Sequence, residues 1–538
     1  MKIIKNLFIM ALAGLALASC ADLDTVPMGS TITADQKEAA VAQNPERVAA
    51  GVAGITSMFS TFGKVLGDDF HNDFGYASLM LMLDGRGMDF VSEAIGYNWF
   101  SGPVTMISDW DIAGGANELT WGTLYNQIYA ANALLGSVNR DEQLEAGADP
   151  VSQFYVAQAL AIRAFDYFHL AQMYQQTYIG NEDKPCVPVI TEENAARVAE
   201  EGCPRSSVED VYTMIMTDLS DAITMLESAK EQDVTSSDKR YVSAAVAHGL
   251  RARVELVMNL WAEAAADAKA AIDGFEGAPL SIEAAAKPGF KDIEETNWMW
   301  GIKIAETDRV VTTGICNFPS HMGSLNYGYA SVGAWRRISE KLYAGISKTD
   351  ARKGWWLDEN MKSKNLTKAQ QKYVKNKEIP AYTQVKFAPY KDELGTSTNA
   401  NDIPLMRIEE MYLIQAEATA MAGDAANGKT LLTDFVKTYR DPSYTTKAAS
   451  AEEVQLAVWN QRRIELWGEG LSYFDILRLQ QPIDRRGAGF EEAYVYYIEP
   501  GDGILIYQIP KVETEANKQI DGLKDNNPIP SVPDPVQE

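Results

Sequence analysis

Carboxylate pairs are the first residues in this sequence that could do chemistry. Two carboxylates about 5–9 Å apart can hydrolyse a glycosidic bond. The pairs that lie close along the chain are Asp68 with Asp69, Asp84 with Asp89, and Asp109 with Asp111. The chain holds 74 acidic residues, however, and most such pairs form turns, helix caps or solvated surface. The four histidines are scattered, so we predict no catalytic residue and no metal site.

A second candidate is a match to the phosphate-binding P-loop pattern. Residues 423–430 read GDAANGKT, which fits that pattern letter for letter. A P-loop needs a buried strand before it and a helix after it, because its backbone amides must cradle phosphate. The preceding residues, 406–421, have a helical period instead. We therefore predict a turn between two helices here and no nucleotide site.

Aromatic residues interleaved with polar ones in long loops are more informative. Sugars have flat C–H faces that stack on Trp and Tyr rings, while polar side chains hydrogen-bond to their hydroxyls. We predict a ligand-binding surface within residues 76–110 and 321–335. Its candidate residues are Asp84, Asp89, Tyr97, Trp99, Phe100, Trp110, His321, Tyr327, Tyr329 and Trp335. The alternative is that these rings fill the core beneath the loops.

The N-terminus has the three-part layout of a secretory signal. Lys2 and Lys5 precede an apolar run over 7–17, and the sequence LASC then ends at Cys20. The run is about a dozen residues, whereas a membrane-spanning helix needs about 20. The LASC ending resembles the bacterial lipobox, whose cysteine carries acyl chains, and several chains give stable anchoring. We predict a signal peptide over 1–19, lipid on Cys20 and a tether over 20–45.

Charge and the other cysteines limit the partners further. The formal net charge is -26, and residues 1–19 carry two lysines and no acid, so their removal makes it more negative. Nucleic acid and anionic lipid would repel such a chain, which leaves the acyl anchor as its membrane contact. Export permits disulfides, and Cys186 and Cys203 lie near each other among loop-type residues. A Cys186–Cys203 bridge is therefore one prediction and free thiols the other, with Cys316 as a small buried apolar residue.

Helical periodicity dominates the rest of the chain. Apolar residues recur at spacings of three and four in segments 119–138, 151–175, 208–226, 242–260, 262–275, 404–422, 428–439 and 452–479. Several segments form pairs joined by short turns, which is typical of tetratricopeptide-type hairpins. We predict an all-α dominated, right-handed repeat scaffold in one domain over 46–525. Residues 62–117, 278–335 and 376–402 are predicted to be loop-rich insertions, and 526–538, with four prolines, an extended tail.

Residues 460–478, NQRRIELWGEGLSYFDILR, resemble the carboxy-terminal signature of the SusD/RagB family, the surface glycan-binding lipoproteins of Bacteroidetes. The matching residues are Arg462, Glu465, Glu469, Gly470, Phe474, Asp475 and Arg478. The match departs at Leu471 and Ser472, where members commonly have His or Tyr and then Arg. Spacings of three and four from Arg462 to Glu465 to Glu469 allow ion pairs along one helix face. We interpret the signature as structural, with Gly470 ending the helix.

The resemblance covers essentially the whole mature chain, because further family-like blocks occur earlier, at 121–132, 163–174, 187–219 and 350–352. It implies a scaffold of four tetratricopeptide units whose loop-rich face forms a lid on a SusC-like TonB-dependent transporter. Such proteins are lipid-anchored in the outer membrane, face outward, and bind oligosaccharide or polysaccharide without a cofactor. The alternatives are a lid that binds peptide or glycoprotein, and a glycan-degrading enzyme.

Overall fold

Helices dominate the part of the chain that the structure describes, which is residues 47–95, 97–106 and 112–537 of a computed structural model. The helices are α1 (Arg47–Ser57), α2 (Tyr76–Arg86), α3 (Ser101–Thr105), α4 (Gly115–Leu135), α5 (Arg140–Leu144), α6 (Pro150–Tyr174), α7 (Ala195–Glu201), α8 (Val208–Glu231), α9 (Ala244–Val257), α10 (Trp261–Gly274), α11 (Ile282–Ala285), α12 (Arg309–Thr312), α13 (Phe318–Met322), α14 (Glu340–Gly345), α15 (Lys368–Asn376), α16 (Ile408–Met421), α17 (Ala425–Tyr439), α18 (Ala451–Glu465), α19 (Ser472–Arg478) and α20 (Lys511–Ala516). The predicted helix-dominated fold is confirmed. The predicted signal peptide over 1–19, the predicted lipid site at Cys20 and the predicted tether over 20–45 lie outside the described residues.

Short strands and 3₁₀ turns connect these helices. The strands are β1 (Phe90–Val91), β2 (Trp298–Ile302), β3 (Arg337–Ile338), β4 (Ile403–Arg407), β5 (Ile483–Asp484) and β6 (Tyr497–Ile498). They form three antiparallel pairs, β1 with β3, β2 with β4, and β5 with β6. The 3₁₀ turns are Met58–Ser60, Tyr329–Ser331, Ala351–Trp355, Tyr390–Asp392, Glu492–Tyr494 and Gly503–Leu505.

The long helices pack in series to form the scaffold. Helix α4 packs on α6, α6 on α8, α8 on α9, α9 on α10 and α10 on α16, which packs in turn on α17 and α18. Arg163 of α6 joins three of them, because its guanidinium donates to Asp218 of α8 at 2.7 Å and 2.9 Å and to Asn132 of α4 at 2.7 Å. Since α10 packs on α16, the series of packed helices continues across the loop-rich insertion that separates these two helices in sequence.

Two predicted helices differ from the structure, and the predicted insertions over 62–117 and 278–335 hold helices and strands as well as loops. Residues 404–407 belong to strand β4, because they pair with β2 rather than continue the helical period that follows them. The predicted helix over 452–479 divides into α18 and α19, since Gly468 and Gly470 have φ of 81° and 75° between them. Helix α2 lies inside the first of these insertions. All its residues are buried, and a helix that is buried all round has no amphipathic period.

The P-loop match lies at the turn between α16 and α17, as predicted. Asp424 caps α17 by accepting from the backbone of Asn427 at 3.0 Å. Gly428 lies where the two helices approach closely, because a Cβ built there would be 2.6 Å from the Ala416 carbonyl and from the Ala420 Cβ. The pattern thus serves a tight helix pair.

The signature residues belong to a buried polar network around α18 and α19. Arg462 donates to Asp475 at 2.7 Å, and Arg478 donates to the other oxygen of Asp475 at 2.8 Å. Arg462 thus uses Asp475 rather than Glu465, because α19 folds back over the end of α18. The Phe474 ring packs edge-on against His169 of α6, with centroids 5.4 Å apart.

Glu465 is the centre of this network. It accepts hydrogen bonds from Arg352 at 3.1 Å, Arg407 at 3.0 Å and Arg440 at 2.7 Å. All four side chains are fully buried. The contact joins α18 to segments that are far apart in sequence, so the signature connects the scaffold to the loop-rich half.

Glu469 and Gly470 follow α18 in a turn that reaches the buried helix α2. Glu469 accepts from Arg407 at 2.8 Å and from Lys386 at 2.6 Å. The backbone N–H of Gly470 donates to Asp84 of α2 at 2.9 Å. Since Glu469 lies beyond the end of α18, it shares no helix face with Glu465, contrary to the spacing argument.

Cys186 and Cys203 are both free and buried, as is Cys316. Their sulfurs face different carbonyls, Ala171 at 4.0 Å and Val189 at 3.8 Å. Burial raises the pKa of the Cys186 thiol to about 12. The predicted Cys186–Cys203 bridge is therefore wrong for this structure.

The C-terminal residues 526–537 have neither helix nor strand and lie against the body of the protein. The Asn527 side chain donates to the Tyr174 and Tyr507 carbonyls at 2.7 Å and 2.6 Å. Near the end, the Val536 backbone donates to the Val495 carbonyl at 2.8 Å. This extended segment is thus held at both of its ends.

Candidate functional site

An aromatic cluster forms where three loop segments meet. The Trp99 ring stacks on the His71 ring, with centroids 4.9 Å apart and planes 19° apart. His71 Nδ1 lies 2.5 Å from the Tyr329 hydroxyl, and the Tyr329 ring stacks on His321 at 4.7 Å. The two aromatic segments predicted from sequence therefore come together in space.

Two rings that neighbour this cluster along the chain reach solvent. Tyr97 is 62% exposed and Tyr327 is 51% exposed, while Trp99, Tyr329 and His71 are half-buried. We name these five residues the aromatic platform. Rings in this state offer a face or an edge to a ligand while their other side remains packed.

Each of the two most exposed rings has a neighbour elsewhere in the loop-rich face. Gly333 lies beside Tyr97, so a Cβ built on this glycine would be 3.8 Å from the Tyr97 ring. Tyr327 is held through its backbone, which donates to the Thr396 carbonyl at 2.8 Å and accepts from the Asn399 amide at 3.1 Å. The Tyr327 ring is therefore presented by a hydrogen-bonded loop, and the Tyr97 ring lies close to Gly333.

Tyr329 supplies a hydroxyl within the platform. Burial raises its pKa above the ordinary value, a hydrogen bond with Trp99 acts in the opposite direction, and Tyr327 raises it further. The hydroxyl therefore stays protonated at neutral pH, beside His71 Nδ1. Together the platform residues provide ring faces and hydrogen-bonding groups in one place.

A buried layer supports the platform from below. The His321 ring stacks on Phe74 at 5.5 Å and packs edge-on against Phe100 at 5.1 Å. Its Nε2 lies 3.0 Å from the His71 carbonyl, to which it donates. Burial, with the nearby Arg336 charge, holds the pKa of His321 well below its usual range. His321 is thus a neutral packing residue.

Arg336 ties the layer to the loop that carries Trp99. Its Nε donates to the His321 carbonyl at 2.7 Å and its Nη1 donates to the Asn98 side chain at 3.0 Å. Asn98 donates in turn to the Glu93 carbonyl at 2.8 Å. Burial lowers the pKa of Arg336 to about 9. This cation fixes the two aromatic segments to each other.

Asp84 and Asp89, both predicted ligand-binding residues, lie in the interior. Each is 3% exposed. Asp84 accepts from the Gly470 backbone, and Asp89 accepts from Arg463 at 2.7 Å and 2.6 Å. Burial excludes both from contact with a ligand in this structure, since helix α2 and the strand after it are covered on all sides.

The other predicted site residues separate into three groups. Phe100 and His321 lie beneath the platform and contact it only from inside. Trp335 is half-buried and packs on a different apolar cluster, which includes Leu325 and Val374. Trp110 lies outside the described residues, so its role stays a prediction.

His71 is the platform residue that was not predicted from sequence. It follows Phe70, which is 41% exposed, in a segment where aromatic and polar residues alternate. That mixture of residue types could have indicated a binding loop. It could not have indicated contact with Trp99, because no sequence spacing relates a single histidine to a residue in another loop. The contact arises because the two loops meet in space.

The platform is open to solvent rather than enclosed, because Tyr97 and Tyr327 are more than half exposed. A cavity of about 10 Å³ lies beside it, lined in part by Phe74, Asn317, Pro319 and Asn399. That volume holds about one water molecule, whereas sites that enclose a small ligand span about 300–1,000 Å³. A ligand would therefore lie on the rings and remain partly solvated.

The described ranges, 47–95, 97–106 and 112–537, lack metal-binding clusters and membrane-spanning helices. They contain no group of three His, Cys, Asp or Glu side chains placed to hold a metal ion. They contain no helix that is both long and apolar enough to cross a bilayer. Asp68, a member of one carboxylate pair, makes an ion pair with the exposed Arg309.

Asp84 makes stability depend on pH. Burial raises its pKa from 3.8 to about 8, so the folded chain keeps a proton that the unfolded chain loses near pH 4. This contribution is full below about pH 4 and is lost as the pH rises through about 8. When the pH rises from about 6 to about 9, we expect the free energy of unfolding of the parent to fall by about 2–3 kcal/mol more than that of Asp84→Asn. The variant has no carboxyl group at this position to lose a proton. Urea unfolding at both pH values measures the difference.

Asp69→Asn is the matched control, because Asp69 is exposed. Its stability should follow the parent's at both pH values. Lys386 also titrates in this window, since burial lowers its pKa to about 8, but it is present in every variant. Equal pH dependence in Asp84→Asn and the parent would contradict the assignment to Asp84.

Two family models match the chain in sequence. The model described as starch-binding and associating with the outer membrane matches residues 91–256. The SusD family model matches residues 332–531. A comparison with curated proteins gave no match.

Solved structures share the fold over nearly its full length. A SusD-like carbohydrate-binding protein from Bacteroides vulgatus is 24% identical with a TM-score of 0.71, covering 89% of this chain and 97% of its own. A laminarin-binding SusD-like protein is 19% identical with a TM-score of 0.61, covering 90% and 98%. Surface glycan-binding protein A from Bacteroides thetaiotaomicron, in complex with laminarihexaose, is 15% identical with a TM-score of 0.60, covering 88% and 98%.

Proposed function

Because the chain belongs to the SusD/RagB family, we propose that it binds a glycan at the cell surface and delivers it to a SusC-like TonB-dependent transporter. The observation that carries this proposal is the aromatic platform, whose Tyr97 and Tyr327 are more than half exposed. Two proteins of similar structure, a laminarin-binding one and one in complex with laminarihexaose, support a carbohydrate ligand.

Binding on the platform follows from the chemistry of its residues. Sugar C–H faces stack on Trp99 and Tyr97, while the Tyr329 hydroxyl and other polar groups bond to sugar hydroxyls. The open surface leaves much of the ligand in water, so a single site binds weakly. Repeated units of a polysaccharide raise the local concentration of ligand and compensate for this weakness.

Lipid on Cys20 would hold the protein on the outer face of the outer membrane, where a transporter can receive the glycan. The matching model's association with the outer membrane supports that location. We propose a binding role without catalysis. Burial of Asp84 and Asp89 supports it, as does the pairing of Asp68 with Arg309, because hydrolysis needs two carboxylates at the ligand.

Platform variants test this function. We expect Tyr97→Ala and Trp99→Ala to weaken glycan binding about tenfold or more, because each removes a stacking ring. The measurement is calorimetry or affinity electrophoresis of residues 21–538, which include every described residue, against plant, host and microbial glycans, laminarin among them. Tyr97 is the more exposed ring, so its removal separates lost binding from lost folding.

Tyr129→Ala is the matched control, because Tyr129 is 73% exposed on α4, outside the platform. It should leave every affinity unchanged. Affinities that survive both platform variants would contradict the proposed site. Binding of peptide in place of glycan would favour a lid that binds peptide or glycoprotein. Release of reducing sugar by the purified protein would show that it is a glycan-degrading enzyme.

A further inference from the structure

A lysine-rich segment stands out in this acidic chain. Residues 361–377 hold six lysines and no acidic residue, although the chain's net charge is -26. Within helix α15, Lys368, Lys372 and Lys375 recur at spacings of four and three, which puts them on one helix face. All three are exposed. We name them the lysine face.

The charges of this face are uncompensated. The ion pairs found across the described residues include none made by Lys368, Lys372 or Lys375. Like charges four residues apart destabilise a helix. Lys368 also lies in the first turn, which has no acidic residue and where the helix dipole disfavours a cation. An anion bound from outside would relieve both effects.

Helix α15 is attached to the segment that presents Tyr327. The Tyr373 hydroxyl donates to the Asn326 carbonyl at 3.3 Å. The Tyr373 ring also lies against Gly395, whose Cβ position is 3.3 Å from it, and the neighbouring Thr396 carbonyl accepts from the Tyr327 backbone. The helix that carries the lysine face is therefore fixed to the segment that presents Tyr327.

The buried side of α15 strengthens this attachment. Val374 is 1% exposed and packs in the apolar cluster that contains Leu325 and the half-buried Trp335. Both of those residues belong to the loop that carries Tyr327 and Tyr329. The helix and the platform loop are thus joined through one apolar cluster.

We propose that the lysine face extends the glycan site, and that the ligand is a polyanionic glycan bearing carboxylate or sulfate groups. This inference rests on the proposed function. Rings of the platform stack on sugar faces while the ammonium groups pair with anionic substituents of neighbouring sugar units. The acidic body repels a polyanion elsewhere, so the field guides the ligand to this edge.

Paired glycans with and without charge test the proposal on residues 21–538. The probes are polygalacturonate with its neutral methyl ester, and dextran sulfate with neutral dextran, which separate carboxylate from sulfate. We expect one charged form to bind at least about tenfold more tightly than its neutral partner. Lys368→Gln/Lys372→Gln/Lys375→Gln should abolish that preference, and added NaCl should reduce it by screening.

Lys230→Gln/Lys437→Gln/Lys447→Gln is the control, because it removes the same charge from exposed lysines on α8, on α17 and in the loop before α18. It should keep the preference. Equal losses in both triple variants, or equal binding of charged and neutral forms, would overturn the proposal. Loss of binding to phosphatidylcholine–phosphatidylglycerol vesicles, with glycan binding intact, would assign the face to a membrane instead.

The two proposals fail in distinguishable ways. If Tyr97→Ala weakens binding to neutral glycans and no polyanion is preferred, the glycan-binding function stands and the lysine face has no part in it. If no glycan of either kind binds, both proposals fail. Binding of a polyanion that depends on Tyr97 and on the three lysines together supports one continuous site.

Discussion

Replacing Glu465 with glutamine is expected to lower the free energy of unfolding by about 3–5 kcal/mol. Burial alone would raise the pKa of Glu465, yet the arginine charges, that of Arg440 foremost, hold it well below its usual range. The carboxylate therefore stays ionised in the interior. Removing its charge leaves Arg352, Arg407 and Arg440 buried with too little negative charge to balance them. Urea unfolding followed by tryptophan fluorescence measures the loss.

Glu283→Gln provides the matched control for this substitution. Glu283 also makes an ion pair, with Lys287, but its side chain is 86% exposed. Such a pair contributes about 0–1 kcal/mol, so the control should unfold almost as the parent does. A loss below about 1 kcal/mol in Glu465→Gln would mean that the remaining acids of the network compensate for the missing charge.

Gly470→Ala is expected to lower the free energy of unfolding by about 2–5 kcal/mol, for two additive reasons. Gly470 has a φ of 75°, which alanine adopts only with strain. A Cβ built there would also lie 2.7 Å from the Met80 Cα, which is backbone of the buried helix α2. Helix α2 cannot shift without breaking its own packing. The same urea unfolding experiment reports the change.

Gly423→Ala separates strain from steric conflict. Gly423 has a φ of 108°, but a Cβ there would have no atom within 4 Å. The free energy of unfolding of this control should fall only by the cost of the backbone strain, about 1–2 kcal/mol. Equal losses in the two variants would show that α2 yields to the added methyl group and that the close approach is unimportant.

The scaffold was largely predictable because its helices are amphipathic. Helices α8 and α17 follow the apolar period expected from one buried face, and their ends agree with the predicted segments within a few residues. Helix α2 and strand β4 were not predictable in this way. Every residue of each is buried, so the alternation of apolar and polar residues that marks a surface element is missing.

The candidate site was predictable in its residue types and only partly in its members. Trp99 and Tyr329 were expected because aromatic residues in long loops indicate a binding surface, and they meet across His71. Asp84 was wrongly expected there, since nothing in its local sequence distinguishes a carboxylate at the surface from one that accepts a buried backbone N–H. Which rings reach solvent depends on how the loops pack.

The sequence by itself determined the features that depend on local spacing. These are the helical pairs, the signature over 460–478 and the predicted lipid site at Cys20. Tertiary structure alone decided which residues share a site. Arg407 and Glu465, or His71 and Trp99, are neighbours because long-range packing places them together. No periodicity along the chain records a contact between loops, so those partners had to be read from the folded protein.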